Sequence, residues 1–139
     1  MRNIEEVRAK LPLRYPYLMI DRVLEESPDH VVAIKNVTIN EPFFQGHFPE
    51  PLEAVMPGTL MVEAMAQATG FLVEGRMSGY LVGADKVRIR RKVIPGDQLR
   101  IEVRRLRERR GLLQAECEAS VDGEVAASAT ISLFITEAP

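Results

Sequence analysis

The feature that most constrains this chain is a long, nearly uncharged segment with the composition of a helix. Across residues 58–73 the ionisable or amide side chains are Glu63 and Gln67 alone. A helix that is apolar nearly all round is buried in a protein core. The uncharged run 64–73 is too short to span a bilayer, so we expect no membrane insertion. Pro57 can stand just before a helix but cannot continue one. We therefore predict a buried central helix over residues 58–73.

The carboxylate in this segment needs a physical explanation. A glutamate is rarely buried without a partner, and burial raises its pKa toward the range useful for proton transfer. Gln67 follows Glu63 by four positions, so both lie on one face of the helix and the amide can orient the carboxyl group. The alternative is that Glu63 faces solvent on a partly exposed helix.

Alternating apolar and polar residues predict strands on both sides of the helix. Predicted strands cover residues 17–24, 30–39 and 81–94, and period-two alternation covers 99–104, 113–121 and 125–135. Asp122-Gly123 is a strong signal for a two-residue hairpin turn, and Asn3 is a suitable N-cap for a short helix that ends at Lys10. One apolar helix and six antiparallel strands favour an α+β fold in which a curled sheet wraps a long central helix.

Length and composition indicate one globular domain over residues 1–139. The apolar content of 46% is sufficient for a substantial core. The first residues contain no apolar run, so we expect no signal peptide. The single cysteine, Cys117, excludes an intrachain disulfide and is consistent with a reducing cytoplasm. Two histidines and one cysteine, far apart in sequence, argue against a zinc site.

The charge distribution is asymmetric along the chain. Residues 86–110 carry eleven basic and three acidic side chains, a net charge of +8, so the remainder carries −10 of the total of −2. This asymmetry favours an acidic partner, whereas the alternative is a solvated face of arginine-rich strands. The segment lacks interleaved aromatic residues and any nucleic-acid-binding motif, so we expect no nucleic-acid partner.

Several motifs resemble one enzyme family, the FabZ-type (3R)-hydroxyacyl-[acyl-carrier-protein] dehydratases. The most specific is Asn-Glu-Pro-Phe-Phe-Gln-Gly-His-Phe-Pro at 40–49, and the resemblance extends over about residues 11–134. Further matching motifs are Leu11-Pro12-x-Arg14-Tyr15-Pro16, Asp21-Arg22-Val23, Met56-Pro57-Gly58, Glu63-Ala64-Met65-Ala66-Gln67 and Pro95-Gly96-Asp97. The resemblance implies a hot-dog fold, a homodimer commonly assembled as a trimer of dimers, and acyl carrier protein as partner. It also implies that no cofactor is needed, because the phosphopantetheine of the carrier protein carries the substrate.

Dehydration of a 3-hydroxyacyl thioester requires a base at C2, an acid at the C3 hydroxyl and a donor to the thioester oxygen. A histidine such as His47 can be neutral at cytoplasmic pH, and a protonated Glu63 can assist departure of the hydroxyl. The backbone N–H of Gly58, at the start of the helix, can stabilise negative charge on the thioester. In the family, residues matching His47 and Glu63 are the catalytic pair and the N–H matching Gly58 polarises the thioester. Gly83 is a candidate second backbone contact.

Further site residues follow from the charge pattern and from the resemblance. The basic side chains proposed to attract the carrier protein are Arg88, Arg90, Lys92, Arg109 and Arg110. The resemblance implies that His47 of one subunit faces Glu63 of the other. A curled sheet also leaves an exposed edge that a second copy can cover.

Three positions depart from the family pattern. Leu13 occupies a position where the family commonly has histidine, with an expected modest effect on loop packing or substrate entry. The segment from His47 to Met56 is two residues longer than usual, with Glu50 where glycine is typical, which we expect to widen this turn. Residues 81–85 match only loosely.

Two other functions remain compatible with these residues. A hot-dog thioesterase would hydrolyse the same type of substrate by activating water with a carboxylate. A non-catalytic acyl-binding protein would bind the ligand without turnover. The Gly-His-Phe-Pro loop favours dehydration over hydrolysis, and the presence of both His47 and Glu63 argues against a non-catalytic role.

Overall fold

A computed structural model describes residues 1–136 and shows the predicted α+β, hot-dog-type architecture. The helices are α1, Ile4–Lys10, and α2, Gly58–Thr69, with short 3₁₀ turns at Pro42–Gln45 and Gly70–Leu72. The strands are β1, Arg22–Glu26; β2, His30–Asn36; β3, Gly79–Ile89; β4, Gln98–Arg109; β5, Leu112–Val121; and β6, Glu124–Ile135. They form one six-stranded sheet in the order β1-β2-β4-β5-β6-β3, and every neighbouring pair is antiparallel.

The sheet wraps α2 without closing into a barrel, so β1 and β3 are its edges. Apolar residues alternate along β4, β5 and β6, and their inward-facing members are buried. Val103, Cys117 and Ala129 lie side by side across these strands. The Thr69 hydroxyl of α2 donates to the Met65 carbonyl oxygen at 2.8 Å and lies 3.3 Å from the Cys117 sulfur. The helix is therefore enclosed by the core it was predicted to occupy.

Local signals at two element ends are confirmed. Asn3 caps α1 through a capping box, in which its side chain accepts from the Glu6 N–H and the Glu6 carboxyl accepts from the Asn3 N–H. Asp122 and Gly123 have φ angles of 49° and 82°, the left-handed conformations that a two-residue hairpin turn requires.

Several predicted boundaries are wrong. The first strand begins at Arg22 rather than residue 17, and β2 ends at Asn36 rather than residue 39. β3 covers Gly79–Ile89 rather than 81–94, and the α-helical part of the central helix ends at Thr69 rather than residue 73. The strand count and the position of the helix between β2 and β3 are as predicted.

The two sheet edges differ in how they are covered. β1 forms a bridge to Arg2, whose backbone N–H donates to the Val23 carbonyl oxygen at 2.9 Å. Along β3, by contrast, Tyr80 is 68% exposed and Val82 is 56% exposed. Within residues 1–136, only β6 pairs with β3. An edge strand with exposed apolar side chains is a surface suited to pairing with another chain.

Candidate active site

Glu63 lies on the face of α2 that borders an apolar cavity. Its carboxyl group is half-buried, and burial raises its pKa, while the hydrogen bond from Gln67 opposes that rise. Gln67 Nε2 donates to Glu63 Oε2 at 2.7 Å, which is the contact expected from the spacing of four residues. No side chain among residues 1–136 donates to the other oxygen, Oε1. This second oxygen is therefore available to a ligand.

Gln67 is itself fixed by the backbone of the chain. Its Oε1 accepts from the Met19 N–H at 2.7 Å, and its Nε2 also donates to the Tyr17 carbonyl oxygen at 2.7 Å. The residue is only 3% exposed and uses both of its amide hydrogens. The Gln67 amide consequently cannot rotate without breaking buried hydrogen bonds, so it holds Glu63 in one orientation.

His47 lies in the loop that precedes α2, and its ring is oriented by the same loop. Its Nδ1 is 2.7 Å from the Val55 carbonyl oxygen, and its own carbonyl oxygen accepts from the Val55 N–H at 3.1 Å. A carbonyl only accepts, so Nδ1 carries the hydrogen and the neutral ring exposes an unprotonated Nε2. The ring also stacks on Phe48, with 4.0 Å between centroids and 26° between planes. His47 therefore has the tautomer of a general base.

The loop between His47 and Val55 contains an outer turn. Residues 49–52 form a turn in which the Leu52 N–H donates to the Pro49 carbonyl oxygen at 2.9 Å, and Glu50 is exposed at its tip. Met56 N–H donates to the Val93 carbonyl oxygen at 2.7 Å and ties the end of the loop to the sheet. The loop thus consists of an exposed outer turn and an inner end at which His47 pairs with Val55.

Gly58 is the first residue of α2, directly after Pro57. Its backbone N–H has no hydrogen-bond acceptor within the described residues. A Cβ atom at this position would lie 3.3 Å from Ile89 Cγ1, so the glycine allows β3 to approach the helix start closely. An unpaired N–H at the positive end of a helix is a suitable donor to a developing oxyanion.

The cavity beside Glu63 has a volume of about 310 Å³ and is mostly apolar. Its walls come from α2, the segment after α1 and the start of β3. Besides Glu63 and Gln67, they include Leu11, Pro12, Leu13, Tyr17, Ala66, Gly70, Met77, Gly79, Tyr80, Leu81 and Leu133. Leu13 contributes to the cavity wall, and its expected effect on loop packing or substrate entry stays a prediction. Met77, Tyr17 and the Val55 carbonyl oxygen also contact the cavity or the reactive-residue candidates, and no local sequence pattern predicts this.

The structure of one chain does not bring all of the predicted site residues together. His47, Gly58 and Gly83 are not among the residues that line the cavity containing Glu63. Gly83 pairs with Ser132 on β6, and a Cβ atom there would lie 3.6 Å from the Ser132 Cβ. The roles of these glycines stay predictions.

The five basic residues proposed for carrier-protein binding form two groups. Arg109 on β4 lies at the same level of the sheet as Tyr80 on β3, because the pairings of β5 and β6 connect the two positions. Arg88 follows Tyr80 by eight residues along β3. At about 3.3 Å per residue, roughly 20–25 Å of sheet separates these levels. Lys92 forms an ion pair with Glu53 at 2.8 Å. Arg88, Arg90 and Lys92 thus lie toward one end of the sheet, and Arg109 and Arg110 lie at the other.

Within residues 1–136, no cluster of three or more His, Cys, Asp or Glu side chains could hold a metal ion. No helix of this region is long and apolar enough to cross a membrane.

An apolar helix wrapped by an open antiparallel sheet defines a hot-dog protein, and this one carries a half-buried carboxyl group on its helix. A FabA-like domain model matches residues 11–130. The chain therefore belongs to the FabA-like family and, within it, to the FabZ-type 3-hydroxyacyl-[acyl-carrier-protein] dehydratases.

Two curated relatives are similar over nearly their whole lengths. The FabZ dehydratase of Shewanella sp. strain W3-18-1 is 53% identical, over 93% of this chain and 89% of that protein. The FabZ dehydratase of Streptococcus pyogenes serotype M49 is 49% identical, over 95% of this chain and 96% of that protein. The solved dehydratase heterocomplex ApeI:P from Xenorhabdus doucetiae shares the fold, with a TM-score of 0.81, 23% identity, and coverage of 94% and 91% of the two chains.

Proposed function

We propose that this protein is a (3R)-hydroxyacyl-[acyl-carrier-protein] dehydratase that eliminates water to give trans-2-enoyl thioesters in fatty acid biosynthesis. The observation that carries the proposal is a half-buried Glu63, held by Gln67, at an apolar cavity in a chain 53% identical to curated FabZ dehydratases. The relatives also favour dehydration over the thioesterase and non-catalytic alternatives.

In the proposed mechanism, His47 is the general base. Its Nε2 takes the proton from C2 of the substrate, because Nδ1 is committed to the Val55 carbonyl oxygen. Glu63 is the general acid and protonates the departing C3 hydroxyl, directly or through a water molecule. The Gly58 N–H donates to the thioester oxygen as negative charge develops there, and Gly83 is a candidate second contact. These steps balance without a metal or a redox cofactor.

The acyl chain is proposed to occupy the apolar cavity beside Glu63. Gln67 offers no spare donor to this cavity because both of its amide hydrogens are used. The remaining helix residues at the cavity are Ala66 and Gly70, which add no polar side chain. An extended hydrocarbon that lies beyond Glu63 therefore loses water-exposed area without burying an unsatisfied amide hydrogen of Gln67.

The complete site is proposed to form between two chains of a homodimer, which assembles further as a trimer of dimers. In one chain, His47 does not line the cavity that contains Glu63, which supports a site completed by a partner. The exposed edge strand β3 provides a pairing surface, because Tyr80 and Val82 project from it into solvent. The mass of the assembly in solution tests this proposal.

The protein partner is proposed to be an acyl carrier protein, attracted by basic side chains of the sheet, and the proposed location is the cytoplasm. The net charge of +8 on residues 86–110 supports an acidic partner.

The test of the function is to incubate the protein with 3-hydroxyacyl thioesters of acyl carrier protein and to identify the products. Formation of a conjugated enoyl thioester, seen by its absorbance and mass, is the expected result. Release of a free thiol would instead indicate a thioesterase, and binding without turnover would indicate an acyl-binding protein. Glu63→Gln serves as the control for activity from contaminating enzymes.

A further inference from the structure

One stripe of α2 and its C-terminal cap lines the cavity beside Glu63, and Gly70 is the residue of this stripe furthest from the carboxyl group. Glu63, Ala66, Gln67 and Gly70 all line it, and their spacing of three, four and seven residues places them on one face of the helix. At 1.5 Å per residue, Gly70 is about 10 Å along the helix axis from Glu63. The cavity therefore extends about two helical turns from the carboxyl group.

Met77 and Leu11 line the cavity next to Gly70. A Cβ atom on Gly70 would lie 3.0 Å from Met77 Cγ and 3.2 Å from Leu11 Cδ2. Both distances are shorter than ordinary contacts, so the absence of a side chain at Gly70 is what lets these two side chains reach the helix. Met77 and Leu11 therefore border the part of the cavity that lies furthest along the helix from Glu63.

Lys10 fixes the segment that carries Met77. The Lys10 ammonium group donates hydrogen bonds to the carbonyl oxygens of Val73 and Gly75, and the Lys10 carbonyl oxygen accepts from the Met77 N–H at 2.9 Å. The lysine is only 6% exposed. A buried ammonium group without acceptors is strongly unfavourable, so these carbonyl groups and the lysine hold each other in place. Met77 is thus anchored from α1 as well as from β3.

We propose that Met77, anchored by Lys10, sets the longest acyl chain that the site accepts. The inference rests on the proposed dehydratase function. An extended chain advances about 1.25 Å per carbon, from bonds of about 1.5 Å and near-tetrahedral angles. A cavity about 10 Å long therefore holds about eight carbons beyond C3. A longer chain must displace the Met77 side chain from its place against Gly70, while the anchored backbone limits how far Met77 can move.

The experiment compares kcat/KM for 3-hydroxyacyl thioesters of four, eight, twelve and sixteen carbons. The variants are Met77→Ala, Met77→Phe and, as a control of nearly equal volume, Met77→Leu. In Met77→Ala, the ratio of kcat/KM for sixteen carbons to that for four carbons should rise at least about tenfold, because each further buried methylene group is worth about fourfold. Met77→Phe should lower the ratio of kcat/KM for twelve carbons to that for four carbons. Met77→Leu should leave the dependence of kcat/KM on chain length unchanged.

Lys10→Met tests the anchoring role separately. This variant keeps the length of the side chain but removes its donors to Val73 and Gly75. The chain-length cut-off should become less sharp, while the pH profile of four-carbon turnover should stay that of the wild type, because Glu63 is not altered. A changed pH profile with an unchanged cut-off would overturn the role of Lys10.

An unchanged ratio in Met77→Ala, with wild-type turnover of the four-carbon substrate, would overturn the proposal. So would loss of four-carbon turnover in both Met77→Ala and Met77→Phe, which would make Met77 a purely structural residue. Absence of turnover by the wild type at every length would overturn the proposed function instead. In that case, binding of unreactive saturated acyl thioesters of the same lengths still decides whether Met77 sets the cut-off.

Discussion

At the scale of single residues, the two reactive side chains each have one atom committed and one atom free. His47 uses Nδ1 for the Val55 carbonyl oxygen, and Glu63 uses Oε2 for the Gln67 amide. The uncommitted atoms are His47 Nε2, which lacks a hydrogen in the neutral ring, and Glu63 Oε1. This division suits a base and an acid that act on neighbouring carbons of one substrate.

The first prediction concerns these two side chains. His47→Ala and Glu63→Gln should each lower kcat by about 10²–10⁴-fold while the protein stays folded, because each removes one proton-transfer step. Steady-state kinetics measure the loss, and circular dichroism with thermal unfolding checks the fold. A folded variant that retains more than about a tenth of the wild-type rate would show that its residue does not have the assigned role.

The second prediction concerns stability and pH. Burial raises the pKa of Glu63 in the folded state, with the Gln67 hydrogen bond opposing it. The stability that this group contributes is complete below its unfolded pKa and is lost as the pH rises through its folded pKa. Wild type should therefore lose stability relative to Glu63→Gln as the pH increases from about 4 to about 8. Thermal unfolding of both proteins across this range measures the difference.

The matched control is Glu25→Gln, which removes an exposed glutamate on β1. The difference in thermal stability between this variant and wild type should change much less over the same pH range. An exposed carboxyl group stays solvated in both the folded and the unfolded protein. The prediction is contradicted if the difference in stability between wild type and Glu63→Gln does not change with pH. It is also contradicted if wild type gains stability relative to the variant as the pH rises.

At the scale of secondary structure, the N-terminus of α2 is proposed to donate a hydrogen bond to the thioester oxygen. Gly58 is its first helical residue, and Pro57 has φ −56° and ψ 132°. That extended conformation is the one preferred before a proline, and proline is well tolerated at the first helical position. The backbone N–H of Gly58 can therefore be removed without disturbing the helix.

The third prediction uses this property. Gly58→Pro should lower kcat about 10²–10³-fold, because it deletes the backbone donor to the oxyanion. Gly58→Ala retains this N–H, so its kcat should fall much less. Alanine is the matched control because both substitutions place a Cβ atom 3.3 Å from Ile89 Cγ1, where a flexible side chain can adjust. Equal losses in the two variants would assign the effect to packing against Ile89 rather than to the N–H group.

The sequence predicts most of the elements because their signals are local. The Asp122-Gly123 turn and the capping box of Asn3 depend on neighbouring residues only. The strand predicted from residue 17 was wrong because its backbone groups bond to a distant side chain. The Tyr17 carbonyl oxygen and the Met19 N–H are both satisfied by Gln67, 50 and 48 positions away. No local pattern carries that information.

The same distinction applies to the site. The hydrogen bond between Glu63 and Gln67 follows from helix periodicity, and the structure shows it. The orientation of His47 depends on closure of an irregular loop by Val55, which no periodicity predicts. The burial of Lys10 was also unexpected, because its acceptors lie 63 and 65 residues away in sequence.

At the scale of the whole molecule, the separation of the basic residues into two groups makes the carrier-protein proposal testable. The fourth prediction is that charge reversal of Arg88 and Arg90 and charge reversal of Arg109 and Arg110 have unequal effects. Only the group that the carrier protein contacts should show slower association and weaker salt dependence, with little change for a small thioester substrate. Each pair is the control for the other, and equal losses on both substrates would indicate damage to the fold.

The assembly of two chains gives the last prediction and the sharpest one. One chain presents Glu63 in a cavity that His47 does not line, and it leaves β3 exposed as an unpaired edge. If a second chain covers that edge and supplies His47, neither residue is sufficient without its partner in the other subunit. Mixing equal amounts of His47→Ala and Glu63→Gln, with joint unfolding and refolding, separates this arrangement from a site within one chain.

Random pairing produces heterodimers in about half of the molecules, and each heterodimer has one site with both residues intact and one site lacking both. About a quarter of the wild-type activity should therefore return, given independent sites in a closed two-fold dimer. Refolding each variant alone is the control and should return none. A site made by one chain would lack His47 or Glu63 in every molecule of the mixture. Absence of recovery, with heterodimers demonstrated by mass, would thus place both residues in the same chain and require the exposed edge of β3 to have another role.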